Sequence, residues 1–353
     1  MVKPHLFPLQ NIPRSLIVGS LILAVLLSLT LLQTIVEILC IIFLGVLLGI
    51  FLDGGITILK NHTPLSHPWA VGIILIMFGG LLIATGWMIG SPLVDEMNRL
   101  TERLIQGIER IHSRVIESTW LQPFMPKNVN VKTLLSNSAD VLSGLTGFLS
   151  TSLGIVANVV IVLFVGIYLA VNPDLYIENG LRILPMEKRE RAREVLKALG
   201  RGLRWWLYGR LATMGAVGIL TALGLFLTGL PLAMTLGVIA GLLAFVPYIG
   251  PILSLVPAML VGLAEGPSMV GSVVLVYLVV QTLESYLLTP LIQKQAVAIP
   301  PALLISVQVF LGALIGGLGV MLATPLAVSA IVLIQMLYVE DILGEQVRVI
   351  GMH

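Results

Sequence analysis

Glu284 is the residue whose type and position most suggest chemistry. It falls inside the uncharged surroundings of residues 268–289. An ionisable side chain at membrane depth costs roughly 3 kcal/mol on insertion scales and marks a path or a relay by default. Tyr277, Gln281, Glu284 and Ser285 follow one another at steps of 4, 3 and 1, close to one face of a helix. That face must point into protein or a wet cavity. Without a cation partner, burial disfavours the ionised carboxylate, so Glu284 is placed to carry a proton or a bound cation. The plainer reading is a buried Glu that hydrogen-bonds a neighbouring helix. No Lys or Arg lies in its own span, although another helix could supply one.

The second feature is Pro247-Tyr248-Ile249-Gly250-Pro251. Each proline lacks a donor and disfavours helix at the residue before it. A straight helix therefore cannot pass, and irregular backbone at membrane depth is tolerated only where protein or a water-filled cavity satisfies it. Freed carbonyls at such breaks bind ions or polar solutes in transporters; a hairpin loop or a plain kink is the alternative. The Gln281–Glu284 face is the expected partner of this break. A third feature, the run Gly312 to Gly319 with Gly316 and Gly317, allows close helix contact or a re-entrant element.

The elements that carry these residues are membrane elements. The chain has 353 residues, 57% hydrophobic and 11% charged, with a mean hydropathy of +1.03. So few charges cannot clothe a water-soluble surface of this size. The net charge of +2 does not point to nucleic acid. Cys40, the single cysteine, packs in an apolar run and forms neither disulfide nor thiolate cluster. The five histidines are scattered, and no zinc-protease, phosphate-loop or nucleophile-elbow motif occurs, so neither an enzyme, a metal site, a cofactor nor ATP-driven transport is expected.

Span length sets the expected architecture, an all-α polytopic membrane protein. A span needs about 20 apolar residues. Residues 15–52 read as two spans turning near Thr30 to Thr34, and a third runs over 68–90. Asp53, near a span end, and Glu37, near that turn, reach interfacial water. Ser91-Pro92 then opens an amphipathic helix whose stripe is Leu93, Met97, Leu100, Leu104, Ile108, Ile111 and Val115. Its charges nearly balance, so it suits a helix partner, and self-association is expected through it. Spans follow at 151–171, 211–228 and 268–289, with long uncharged runs at 232–264 and 296–339. The second of these runs must break or tilt. The total is about eight spans, seven to nine, with a broken or re-entrant element at 247–251. Three regions result: spans over 1–92, an extramembrane segment at 93–150, and spans over 151–353.

An amphipathic helix at 185–207 carries seven Lys or Arg against three Glu over residues 187–204 and ends in Trp205-Trp206. Positive loops stay inside, so this helix is expected along the inner leaflet with both termini cytoplasmic.

The motifs fall in a recognisable order: Pro247 to Pro251, Gln281 with Glu284, Thr289-Pro290, Pro300-Pro301, and the glycine run leading to Ala323-Thr324-Pro325. The chain resembles the autoinducer-2 exporter, or PerM permease-like, family over nearly its whole length. The resemblance implies a bacterial inner-membrane protein of about eight spans. It also implies export of a small furanosyl signal, as linked to some members, or sodium–proton antiport, as shown by others. From residues and resemblance together, the expected activity is secondary transport of a small polar solute. The pathway would be formed by Glu284, Gln281, Tyr277, Pro247, Tyr248, Gly250 and Pro251. A cation–proton antiporter using Glu284 and a membrane scaffold without flux are the alternatives. The expected partners are the lipid bilayer, the solute or H+/cation, and further copies of the chain.

Overall fold

The structure is a computed structural model that describes residues 14–81, 83, 84, 99, 100, 102, 103, 106, 152–292 and 299–345. Among the described residues every regular element is helical. They are α1 (Arg14–His62), α2 (His67–Leu81), α3 (Ser152–Val171), α4 (Pro173–Leu181), α5 (Met186–Leu227), α6 (Ala233–Leu243), α7 (Ile249–Glu265), α8 (Pro267–Leu283) and α9 (Pro301–Leu333). A π-helical turn, Glu284–Leu288, and a short helix, Thr289–Ile292, extend α8, and a second π-helical stretch, Ile334–Glu340, extends α9.

Two sequence boundaries dissolve. Residues 15–52 do not turn at Thr30 to Thr34; α1 is one helix of 49 residues. No Gly or Pro interrupts residues 20–44. The hydroxyls that suggested a turn bond back into the helix: Ser28 to the Ala24 carbonyl at 2.8 Å, Thr30 to that of Leu27 at 2.9 Å and Thr34 to that of Thr30 at 2.9 Å. Such bonds satisfy the hydroxyl without breaking the ladder. Likewise, the charged helix at 185–207 and the span at 211–228 are a single 42-residue helix, α5. Nothing between them interrupts helical geometry.

Among the described residues, four helices are long and apolar enough to cross a bilayer, and five if α3 and α4, bent by 88° at Asn172, count as one. That is fewer than the expected eight. Fusion in α1 removes one span, and the 232–264 run divides into pieces of 11 and 17 residues. Within α9, Ile315 (φ −133°) and Gly316 (φ +65°, ψ −145°) are not helical. A side chain on Gly319 would meet the Leu311 carbonyl, and one on Gly312 would meet Val320. Residues eight apart in a straight helix lie about 12 Å apart, so α9 folds back on itself here, as its glycine run allows.

Small residues set the helix registers. α1 and α3 run parallel, Gly45 opposite Val165 and Gly49 opposite Leu169, with Gly166 against Leu48. α5 and α6 run antiparallel across the 228–232 turn, Gly218 against the Gly237 carbonyl and Gly241 against that of Met214. Close approach through glycine is a membrane packing device. Buried Leu225, Leu230, Leu236, Val261, Val273 and Tyr277 form one core. Leu100 joins that core, and Arg103 pairs with Glu265 of α7. Of the expected self-association stripe, Leu100 is thus covered by its own chain. Leu93, Met97, Leu104, Ile108, Ile111 and Val115 lie outside the described residues.

Replacing Gly166 by Val forces new methyls into Leu48, whose backbone-proximal carbons sit under 3 Å from the added Cβ. The expected loss is about 1–3 kcal/mol, read as a lower unfolding midpoint in detergent. Gly180→Ala, where the space is open, serves as the unchanged control.

Candidate functional site

The site grows out of the α5–α6 register. Four residues beyond the Met214–Gly241 contact, Arg210 comes level with Phe245, and there α6 has ended. Residues 244–248 form turns rather than helix, and Tyr248 takes φ +64°, ψ −51°. The break is therefore real, but it sits just ahead of where the prolines alone placed it. Ile249, Gly250 and Pro251 already open α7, where a proline is tolerated because its missing donor is unused. Gly250 has no alternative here: a Cβ on it would lie 1.9 Å from the Leu243 carbonyl.

Two buried side chains from different helices bond to carbonyls of this break. Arg210 Nε of α5 donates to the Phe245 carbonyl at 3.0 Å. Gln308 Nε2 of α9 donates to the Pro247 carbonyl at 3.1 Å. Arg210 is 3% exposed and Gln308 is fully buried. The expected partners from the Gln281–Glu284 face reach the break only through Arg210. Its Nη1 lies 3.5 Å from Glu284 Oε1, and the other carboxylate oxygen accepts from Gln281 Nε2 at 3.2 Å.

Glu284 therefore does have a cation partner, supplied by another helix. Glu284 is 6% exposed and opens the π-helical turn of α8. One extra residue per turn re-aims the side chains that follow, and such bulges recur at functional sites. Tyr277 is placed differently: its hydroxyl donates to the Ser254 carbonyl at 2.9 Å and its ring belongs to the apolar core. Tyr248 is about half exposed beside the break.

Two polar atoms of this cluster have no partner among the described residues. They are Arg210 Nη2, a donor, and Gln308 Oε1, an acceptor. A buried polar group left unpaired costs about 1–3 kcal/mol, and the great majority of such groups are paired. The arrangement thus offers one donor and one acceptor, beside a charge pair, at a backbone break. Arg210 stands at the edge of the apolar stretch of α5, about 26 Å along the axis from the 228–232 turn. A cleft of about 650 Å³ between α1 and α2, lined by Phe51, Ile74, Phe78 and Tyr208, is apolar and shares no residue with this cluster.

Arg210 and Gln308 were both missed in the sequence. The signal for Gln308 was present, since it is the one amide in residues 299–333. The signal for Arg210 was weak, because an arginine at the start of a span reads as an interfacial anchor. Asp53 differs from expectation too. It pairs with Arg204 of α5, and Tyr208 donates to the Phe51 carbonyl at 3.1 Å beside it.

The model of the AI-2E transporter family matches residues 19–338. The chain belongs to that family. It is 26% identical over 293 residues to "Putative transport protein YueF" of Bacillus subtilis, covering 80% of this chain and 79% of that protein. It is 28% identical to "Putative transport protein MT0215" of Mycobacterium tuberculosis, over 74% and 72% of the two chains. It is 26% identical to "Putative permease PerM" of Escherichia coli K12, over 74% and 77%. The chain is a multi-pass membrane protein of a transport family, and the break, Arg210 and Glu284 all lie inside the matched region.

Removing one member of a buried ion pair strands the other, at about 3–5 kcal/mol. Arg210→Met and Glu284→Met should therefore each lower the unfolding midpoint in detergent. The double variant should recover most of that loss. Equal additivity of the two losses would show that the pair is not coupled.

Proposed function

We propose that this chain is a secondary transporter or facilitator for a small polar solute. In this reading the solute path passes the break at 244–248, where Arg210, Glu284, Gln281 and Gln308 meet beside Tyr248, Gly250 and Pro251. One observation carries the reading: a buried donor and a buried acceptor stand unpaired next to a buried ion pair at a broken helix. Such groups are exceptions in a packed core. The ion pair and the break beside them set these two apart from the unpaired Thr221, Thr235 and Thr324 hydroxyls elsewhere among the described residues. A polar solute satisfies them for the time it is bound. The names of the relatives, transport protein and permease, agree with this, and export is the direction we assign by analogy with the family.

The antiporter alternative is weakened by Arg210, whose charge repels a bare cation from the carboxylate. The scaffold alternative needs no polar cluster of this kind. The positive N-terminal half of α5 supports a cytoplasmic location for that half and for the chain at Glu340 and Asp341, which pair with Arg191, in a bacterial inner membrane. α1, a single helix that meets Arg204 through Asp53 near its C-terminal end, would then begin on the other side, against the expectation of a cytoplasmic N-terminus.

Thiol access tests the path without knowing the solute. With Cys40 replaced by Ser, Tyr248→Cys should react with a membrane-impermeant thiol reagent in vesicles. Val261→Cys, in the core, should stay inert. Lys197→Cys should react only from the cytoplasmic side. A Tyr248→Cys that reacts from neither side, in a protein where Lys197→Cys reacts, removes the path from the break.

A further inference from the structure

We infer that the solute is a small hydroxylated monocarboxylate, carried together with one proton, and that Arg210 is the residue that binds its carboxylate. This rests on the reading of the break as the solute path, and it names the substrate class and the coupling of that site.

The argument begins with the guanidinium. Its Nε is committed to the Phe245 carbonyl, which fixes the group to the break. Its outer edge, Nη1 and Nη2, points away from that bond. Nη1 faces the Glu284 carboxylate at 3.5 Å, longer than a good charge-assisted bond, and Nη2 has no partner. The outer edge of a guanidinium presents two parallel donors that match a carboxylate in a bidentate fork. Glu284 fills that edge only on one side and at a distance. A carboxylate from the solute can fill it on both.

Charge decides what accompanies the solute. Arg210 and Glu284 together are neutral, and both are more than nine-tenths buried. Adding an anion to the pair leaves one net negative charge out of water, which is strongly unfavourable. A proton taken up from water by the Glu284 carboxylate restores neutrality. The protonated acid no longer competes for Arg210, and Gln281 beside it can rotate its amide to accept the new O–H. On the far side the solute leaves, Glu284 returns its proton to water, and the ion pair re-forms. One anion and one proton cross together, with no net charge moved. The step is reversible, so an acidic outside drives uptake, and export requires an outward solute gradient larger than the inward proton gradient.

Few other groups can take over this role. Among the described residues, the titratable groups that act on Arg210 are Glu284, its partner, and Tyr248, from the break. Gln281 on α8 and Gln308 on α9 are neutral at every working pH.

The hydroxyl follows from Gln308. Its Nε2 holds the Pro247 carbonyl, two residues from the one that Arg210 holds, so the two side chains grip backbone groups within about 7 Å of each other. Its Oε1 is an acceptor without a donor. A hydroxyl on the carbon next to the carboxylate supplies that donor.

The test uses the full chain in proteoliposomes with radiolabelled D-glycerate as the probe. Wild-type vesicles should take up glycerate when the outside is made more acidic, and an imposed membrane potential should leave the rate unchanged. Glycerate should compete with labelled glycerate better than acetate does. Glu284→Gln cannot release a proton, so its net uptake should fall about tenfold or more relative to its glycerate–glycerate exchange. Arg210→Gln should lose uptake and exchange alike, by about tenfold or more. Wild-type vesicles that carry no glycerate above protein-free ones, while Tyr248→Cys reacts with the thiol reagent, overturn the carboxylate assignment and leave the path standing. Uptake that responds to potential overturns the one-to-one coupling. Arg210→Gln vesicles that exchange glycerate as the wild type does overturn the role of Arg210.

Discussion

The constraint on which this structure turns is that backbone freed inside a membrane protein must be satisfied by the protein itself. The chain stops helix at residues 244–248; the Phe245 carbonyl then needs a donor, and the Pro247 carbonyl, which accepts the Ile249 N–H at 2.7 Å, has a second lone pair to fill. Arg210 and Gln308 meet these needs from two different helices. A buried guanidinium in turn needs a counter-charge, and Glu284 provides it. The break, the arginine and the carboxylate are thus consecutive links in one argument. Each is placed by the need created by the one before it.

α5 makes that chain of needs geometrically possible. It is the longest element of the second half of the chain, and it presents polar side chains to different neighbours at different heights. Arg204 pairs with Asp53 of α1, while Arg210 reaches the break and Glu284 of α8. Arg191, nearer its start, gathers Glu194, Glu340 and Asp341 and donates to the Met336 carbonyl at 3.1 Å. Glycines make the fit close enough for these reaches. Gly54 leaves room for the Arg204 and Tyr208 side chains, and Gly218, Gly237 and Gly241 let α6 lie directly on α5. Any larger residue at those three would move the break away from Arg210.

The folded-back α9 and the α6–break–α7 segment share a design. Each enters the bundle as an apolar helix, reverses at residues that ordinary helix cannot accommodate, and leaves again. Positive φ at Gly316 and Tyr248 marks the two reversals. At Gly316 the conformation is free of steric cost because no Cβ is present. At Tyr248 it is not, and the strain is held by the packing around it, as is usual near functional sites. Gln308, on the first arm of α9, joins the two reversing elements.

The amino-acid sequence by itself determined the class of the protein, because hydropathy and charge are properties of composition. It also located a break near Pro247 and singled out Glu284, since proline chemistry and a carboxylate in an apolar run are local signals. Gln281 beside Glu284 came from helical spacing alone. What tertiary structure decided is everything that depends on a second element. The partner of Glu284 is 74 residues away on α5, and the donors to the break come from α5 and α9. Whether α1 bends at Thr34 was also beyond the sequence, because a hydroxyl that bonds its own helix and one that ends it look the same as letters. Span length limits how much apolar chain a bilayer covers, but continuity of a helix is set by its backbone bonds and its packing, and those exist only in the folded molecule.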